Sequence, residues 1–281
     1  MSPALQQVST RNARFQQWQA LLTNRTKRQR LRAFVVQGVR PVTVAIEHGW
    51  QVEAVLVDGS RRLSRWAQDV LATAGGEHVA LSNELMTELG EKGDAAPELL
   101  VVLAIPDDDL DRIPVPHDFL GVVFDRPTNP GNLGSVVRSA DAFGAHGVVV
   151  AGHAADPYDS AAVRASTGSL FAVPTVRVPS PATVLDWVAG HRAAGVAVQV
   201  VGTDEGGEAD VSAVDLAAPT LLLVGNETTG LSAAWRDAVD LTVRIPMAGS
   251  ASSLNAANAA SVVLYEAVRQ RRAAAAGETR R

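Results

Sequence analysis

Two hydrophobic periods alternate along this chain. Short apolar runs, among them Leu99 to Ile105, Leu120 to Phe124 and Thr220 to Val224, have the length and composition of buried strands. Between them, apolar positions return every three or four residues, as at Leu133, Val136, Val137 and Ala140, which predicts helices. From the start, the pattern predicts a helix over Asn12 to Leu31 with its stripe at Phe15, Trp18, Leu21 and Leu22, a strand over Ala33 to Gln37 and a helix around Val39 to His48. A strand at Glu53 to Val57, a helix at Leu63 to Ala74, a strand at His78 to Leu81 and a helix capped by Ser82 complete a first α/β unit that ends with Leu99 to Ile105.

Pro106 to Pro116, rich in proline and aspartate and without periodicity, predicts an interdomain linker over 107–116. Alternation then resumes: strand 120–124, helix 132–143, strand 147–151, a helical stretch near Ser160 to Ala165, an apolar segment from Phe171 to Val178, helix 182–194 and strands at 196–201, 220–224 and 241–245. A last helix is predicted from Ser253 to Arg271, and residues 274–281 are expected to fray as a disordered tail. Such βα alternation predicts a mostly parallel sheet covered by helices.

Composition narrows the chemistry. There are no cysteines, which excludes thiolate nucleophiles and disulfides, and the six histidines have no ligand-like spacing, so a metal site is not expected. No apolar run reaches membrane-span length and the first residues lack a signal-peptide core, which places the chain in the cytoplasm. The net charge of −5 conceals an asymmetry. No acidic residue precedes Glu47, whereas Arg11, Arg14, Arg25, Lys27, Arg28, Arg30, Arg32 and Arg40 are basic, a local cluster of the kind that meets phosphates. The alternative is a solvated helix face.

Three loops of the second domain stand out. Arg126 to Gly131 turns a strand into a helix carrying Asn132 at its mouth and Arg138 almost two turns along; the turn itself directs main-chain N–H groups outwards. Gly225-Asn226-Glu227-Thr228-Thr229-Gly230 puts a carboxylate directly after a buried strand, and Ile245 to Asn255 brings serine and asparagine to a helix start. In open α/β sheets ligands bind at the carboxyl ends of strands, where all three loops are predicted to lie. Neither a GxGxxG turn nor a Walker lysine is present, which counts against hydride transfer and nucleotide hydrolysis.

NPGNLGSVVRSADAFG, LLLVGNETTGLS and IPMAGSASSLNAANAASVVLYEA resemble, in order and spacing, the three motifs of the SpoU (TrmH-type) branch of the SPOUT RNA 2′-O-ribose methyltransferases. The first domain resembles that family's L30e-like RNA-binding extension, with Gln37 where glutamate is common; Ala256 stands where valine often follows SLN. The resemblance implies a trefoil-knotted methyltransferase domain over 117–273, an L30e-like domain over 1–106, a homodimer formed through the C-terminal domain, and S-adenosylmethionine held around Thr203, Gly225, Asn226, Ile245, Met247 and Leu254. It implies Arg138 as the central catalytic residue, surrounded by Asn132, Glu227, Ser253 and Asn255. A guanidinium is a poor proton acceptor, so Arg138 is read as gripping a substrate phosphate and stabilising the developing alkoxide, its orientation set by Glu227 and Asn132. Arg11, Arg14, Arg25, Lys27, Arg28, Arg30 and Arg40 are the expected RNA contacts.

RNARFQQWQALL, DFLGVVFDRPT and AGHAADPYDS further resemble members that methylate 23S rRNA and confer resistance to orthosomycin antibiotics. That implies a uridine of the peptidyl-transferase region as target, with tRNA methylation and a non-catalytic role in ribosome assembly as alternatives. Deleting residues 1–106 is expected to abolish rRNA modification and to spare cofactor binding.

Overall fold

A computed structural model describes residues 5–90 and 95–278, which divide into two compact units. The first holds the chain up to Pro106 together with Tyr158–Ala172. Its elements are β1 (Gln6–Val8), α1 (Ala13–Thr23), α2 (Arg25–Leu31), β2 (Ala33–Gln37), α3 (Val39–Glu47), β3 (Val52–Asp58), α4 (Arg65–Thr73), β4 (Glu77–Leu81), α5 (Asn83–Leu89) and β5 (Leu99–Ala104). The sheet order is β1-β4-β3-β5-β2, with β5 antiparallel to both neighbours and the other pairs parallel. Phe15, Trp18 and Leu21, three residues apart on α1, bury one stripe against Leu56, Val79, Leu100 and Val102 of the sheet and Met86 of α5.

The predicted helix over 12–31 is broken at Asn24. Its N–H donates to the Ala20 carbonyl (2.9 Å), closing α1, and its side chain accepts from Lys27 N (3.0 Å), opening α2. Strand β1 escapes the hydrophobic pattern because only Val8 of its three residues is buried.

The second unit runs from Asp107 to Pro157 and from Val173 onward. In chain order it contributes β6 (Leu120–Asp125), α6 (Pro130–Ala142) and β7 (Gly147–Ala151). The chain then supplies α7 (Ser160–Ser166) and α8 (Ser169–Ala172) to the first unit. It returns as β8 (Thr175–Val178), α9 (Pro181–Ala193), β9 (Gln199–Thr203), β10 (Ala209–Asp210), β11 (Thr220–Val224), α10 (Ala233–Arg236), β12 (Leu241–Arg244) and α11 (Ala256–Glu278). All seven strands are parallel, in the order β10-β12-β9-β11-β6-β7-β8. The chain departs from β6 in one direction and comes back on its other side at β11, so a crevice opens between the carboxyl ends of that pair.

Three expectations change here. Residues 107–116 are packed, not a free linker: Ile113 is buried in the core of the second unit, and Asp108 pairs with Arg177 at 2.7 Å. The α7–α8 stretch, expected in the methyltransferase domain, packs with the first unit, where Tyr158 and Phe171 join Phe34 and Trp50 in an aromatic cluster. The last helix begins at Ala256 and continues through the alanine run to Glu278, because alanine is the best helix former. Residues 279–281 of the expected tail lie outside the described residues.

Candidate active site

The loop after β6 is fixed by its own turn chemistry. Asn129, not Asn132, caps α6, its side chain accepting from Gly131 N (2.8 Å) and Asn132 N (3.2 Å), and Pro130 occupies the first helical position, where no N–H is missed. Asn132 therefore lies in the first turn with its amide free to face other loops. It donates from Nδ2 to Glu227 Oε1 (3.1 Å), and its Oδ1 accepts from Asn255 Nδ2 (3.1 Å).

Glu227 sits in the loop after β11. Its carboxylate also accepts from Thr128 N (3.0 Å), Thr128 Oγ1 (3.1 Å) and Asn129 N (3.2 Å). Burial pushes this carboxyl up, but the N–H groups of Thr128, Glu227 itself and Asn129 and the Asn132 amide outweigh it, leaving the group below the usual glutamate range. Asn255 in turn caps α11, accepting from Ala257 N at 2.9 Å. Three loops far apart in sequence thus meet in one hydrogen-bonded chain, Glu227 to Asn132 to Asn255. Farther along, α6 and α11 are pinned by Ser139 Oγ and Ser261 Oγ at 2.7 Å.

Arg138 departs from the expectation. It is exposed and makes no hydrogen bond or ion pair among the described residues, so neither Glu227 nor Asn132 orients it. Six residues at about 100° each turn it some 120° away from Asn132 around the helix, which explains the separation. Ser253 is likewise exposed, with no hydrogen bond to its side chain among the described residues.

The expected cofactor positions cluster by topology. Thr203 ends β9, Gly225 follows β11 and Ile245 follows β12, three adjacent strands. Thr203 Oγ1 donates to the Leu223 carbonyl (3.0 Å). Gly225 permits the loop to fold back on itself: a Cβ there would lie 2.6 Å from the Gly230 carbonyl carbon. Asn226 closes that loop by pairing with Gly230 and donates from Nδ2 to the Arg126 carbonyl (2.7 Å). Residues 246–255 are all exposed, among them Met247 at 41% and Leu254 at 36%. Two apolar side chains held out to water beside open main-chain groups suit a ligand with an aromatic ring and several polar atoms.

Four residues went unread in the sequence. Asp125, 1% exposed, accepts from Ser232 N (2.8 Å), and Arg126 reaches both Asp125 and the Gly230 carbonyl, while Thr128 and Asn129 supply the N–H groups for Glu227. Only the Asn-Pro-Gly turn signal around 129–131 pointed that way.

In the first unit the basic residues separate into two kinds. Arg28 is buried, donating to Leu21 O (2.9 Å), Leu22 O (3.3 Å) and Asp159 (3.1 Å), and is structural, which corrects its assignment as an RNA contact. Arg11 pairs with Glu88 at 2.6 Å, and Arg14 with Glu77. Arg40 donates to Thr167 O (3.1 Å), Arg25 is half-buried, and Lys27 and Arg30 are exposed. A cavity of about 860 Å³ lies among Gln16, Gln37, Pro41, Val163 and Thr167.

An all-parallel sheet whose carboxyl-end loops carry this constellation belongs to the class of SPOUT methyltransferases. Residues 120–265 match the SpoU rRNA methylase family and residues 12–101 the SpoU L30e-like domain, and the chain belongs to the SpoU rRNA methylase family. It is 63% identical over 270 residues, 96% of this chain and 94% of the relative, to the 23S rRNA (uridine(2479)-2′-O)-methyltransferase of Streptomyces viridochromogenes. The crystal structure of the SpoU methyltransferase AviRb from the same organism, in complex with AdoMet, superposes with a TM-score of 0.90 at 64% identity, covering 93% of this chain and 98% of that one. An AdoMet-bound rRNA methyltransferase from Sinorhizobium meliloti gives a TM-score of 0.81 at 31% identity, covering 94% and 98%. Among the described residues no helix is long and apolar enough to cross a membrane, and no group of side chains could hold a metal ion.

Proposed function

We propose that this protein methylates the ribose 2′-hydroxyl of a uridine in 23S rRNA, with S-adenosylmethionine as methyl donor. The observation that carries the reading is the bonded chain Glu227–Asn132–Asn255, which joins the three motif loops at the carboxyl ends of the sheet. The main chain around Thr203, Gly225, Asn226 and Ile245 would hold the polar atoms of the cofactor, and Met247 and Leu254 its adenine. When bound, the cofactor supplies a methyl group on a sulfonium sulfur.

A neutral hydroxyl is a weak nucleophile and must be aligned with that carbon while losing its proton. Arg138, exposed and uncommitted to any described residue, is suited to a bidentate grip on the phosphate beside the reacting ribose and to stabilising the alkoxide as it develops. Asn132, Glu227 and Asn255 hold the surrounding loops still, and Ser253 adds an exposed hydroxyl at the rim.

The chain following β12 is expected to thread an earlier loop as a trefoil knot. Val262 and Tyr265, 39% and 58% exposed on α11, and Phe143, with its ring 6.2 Å from that of Tyr265, support a homodimer through this domain. Lys27, Arg30 and the first-unit cavity are the candidate RNA contacts. The narrower sequence resemblance supports resistance to an orthosomycin antibiotic as the consequence, and the rRNA substrate of the S. viridochromogenes relative supports action in the cytoplasm.

The test is to incubate the protein with methyl-labelled S-adenosylmethionine and, separately, unmodified 23S rRNA, 16S rRNA and tRNA, and then digest each to nucleosides. Label in a 2′-O-methyluridine from 23S rRNA alone is the expected result. Label confined to tRNA, or cofactor binding with no transfer to any RNA or ribosomal subunit, would overturn it.

A further inference from the structure

Arg126 is an unusual residue for its position. Its φ of +49° lies in the left-handed region that glycine and asparagine take readily and a long side chain does not, so the fold gives up an easier residue to keep this one. Gly152, at the end of β7, makes room for it: a Cβ there would stand 3.0 Å from the Arg126 Cγ.

Arg126 is tied down through both its main chain and its guanidinium. Its N–H donates to Ala151 O (2.9 Å), joining β6 to β7, and its carbonyl accepts from Asn226 Nδ2 (2.7 Å). The guanidinium forks onto the buried Asp125 carboxylate (3.0–3.2 Å) and extends one N–H to the Gly230 carbonyl (3.2 Å). Asp125 then accepts from Ser232 N (2.8 Å). Residues 125 and 126 therefore grip the loop after β11 at Asn226, at Gly230 and at Ser232. Between the first two grips the loop projects Glu227, whose carboxylate meets Thr128, Asn129 and Asn132.

We infer that Arg126 is a positioning residue for methyl transfer: it locks the Gly225–Gly230 loop in the shape that receives the cofactor and aims Glu227 at the start of α6. The inference rests on the function proposed above. Held by the Arg126 carbonyl, the Arg126 guanidinium and the Asp125 carboxylate, the loop is preorganised, and loss of the guanidinium returns an ordering cost to the binding step. The left-handed backbone makes the argument separable. Arg126→Gly frees the backbone conformation while removing the clamp, so a purely conformational role predicts a variant as good as the parent.

The experiment compares the parent, Arg126→Gly, Arg126→Lys and the double variant Asp125→Asn/Arg126→Gly, which leaves no uncompensated buried carboxylate should the single glycine variant fold poorly. The dissociation constant for S-adenosylmethionine is measured by calorimetry, Tm by circular dichroism, and KM and kcat with 23S rRNA. We expect each glycine variant that folds to bind the cofactor at least tenfold more weakly, with a KM for S-adenosylmethionine raised by a similar factor and kcat changed less. Lysine, unable to fork between a carboxylate and a carbonyl, should recover only part of the loss. A folded glycine variant that binds S-adenosylmethionine within twofold of the parent would overturn the inference. Failure of the parent itself to bind would instead overturn the proposed function on which it rests.

Discussion

Asn255 donates to Asn132 across 3.1 Å, and by this one bond the start of the last helix is tied to the first turn of α6, 123 residues earlier. Asn132 passes the connection on to Glu227, so its amide is the hub of the site. Replacing it by alanine removes both bonds, one of them to a carboxylate, a loss of about 2–4 kcal/mol of local order. Asn132→Ala should keep the fold and lose roughly 10²-fold in kcat/KM. Asn132→Asp opposes a second carboxylate to Glu227; its deficit should shrink as pH is lowered toward about 5, where such a pair takes up a proton. A pH–rate profile parallel to the parent's would remove Asn132 from this role.

Glu227 gives a prediction for stability. Its carboxyl is held below the usual value in the folded protein, so the charged form favours folding above the unfolded pKa of about 4.3, and that contribution disappears as pH falls through the lower folded value. Glu227→Gln should therefore lower Tm near neutrality yet flatten the acid limb of the stability curve between about pH 5 and pH 3. Acid titration of Tm in parent and variant, giving curves of equal slope, would contradict the hydrogen-bonding pattern.

For Arg138 the expected losses are in turnover. Arg138→Ala and Arg138→Lys should both lose at least 10²-fold in kcat with cofactor affinity unchanged, because an ammonium cannot hold a phosphate through two parallel bonds. Since the side chain has no hydrogen-bond or ion-pair partner among the described residues, neither change should move Tm. A lysine variant with near-normal single-turnover rates would exclude the bidentate role.

The basic cluster of the first unit should divide in two under mutation. Arg28→Ala breaks a buried network that includes Asp159 and should destabilise by about 3–5 kcal/mol. Lys27→Ala and Arg30→Ala should leave stability within about 0.5 kcal/mol, weaken RNA binding and reduce the slope of log K against log salt by about one each. Filter binding across a salt series, with urea unfolding alongside, separates the two classes.

The motif loops and strands were legible because strand ends, turns and helix starts are written in local chemistry: β11 follows its apolar run residue for residue. Asn132, Glu227 and Asn255 were legible by resemblance, and the structure brings them together. Three kinds of feature were not legible. Arg28 looked like its neighbours because burial of a single arginine leaves no local trace. Asp125 and Arg126 were hidden because their partners, Asn226, Gly230 and Ser232, come some 100 residues later and positive φ in a non-glycine has no compositional sign. The proline- and aspartate-rich stretch at 107–116 has the look of a linker because Ile113 is its one fully buried core residue, with Leu110 and Val115 packed beside it only partly buried and without a helical or strand period.

The excursion of the chain through Tyr158–Ala172 has a consequence for how the protein is made. The Phe34 ring lies 4.9 Å from that of Tyr158, tilted against it, and 6.3 Å from that of Phe171, and Trp50 donates to the Phe171 carbonyl, so the amino-terminal core lacks part of its interior until residue 172 has been synthesised. During translation that unit must wait, incomplete, while β6, α6 and β7 emerge. The same fact changes what removal of residues 1–106 would do. The remaining fragment would carry Tyr158 and Phe171 stripped of their aromatic partners, and aggregation would precede any clean loss of RNA recognition. The boundary at Pro106 divides the sequence, but it is not a place to cut.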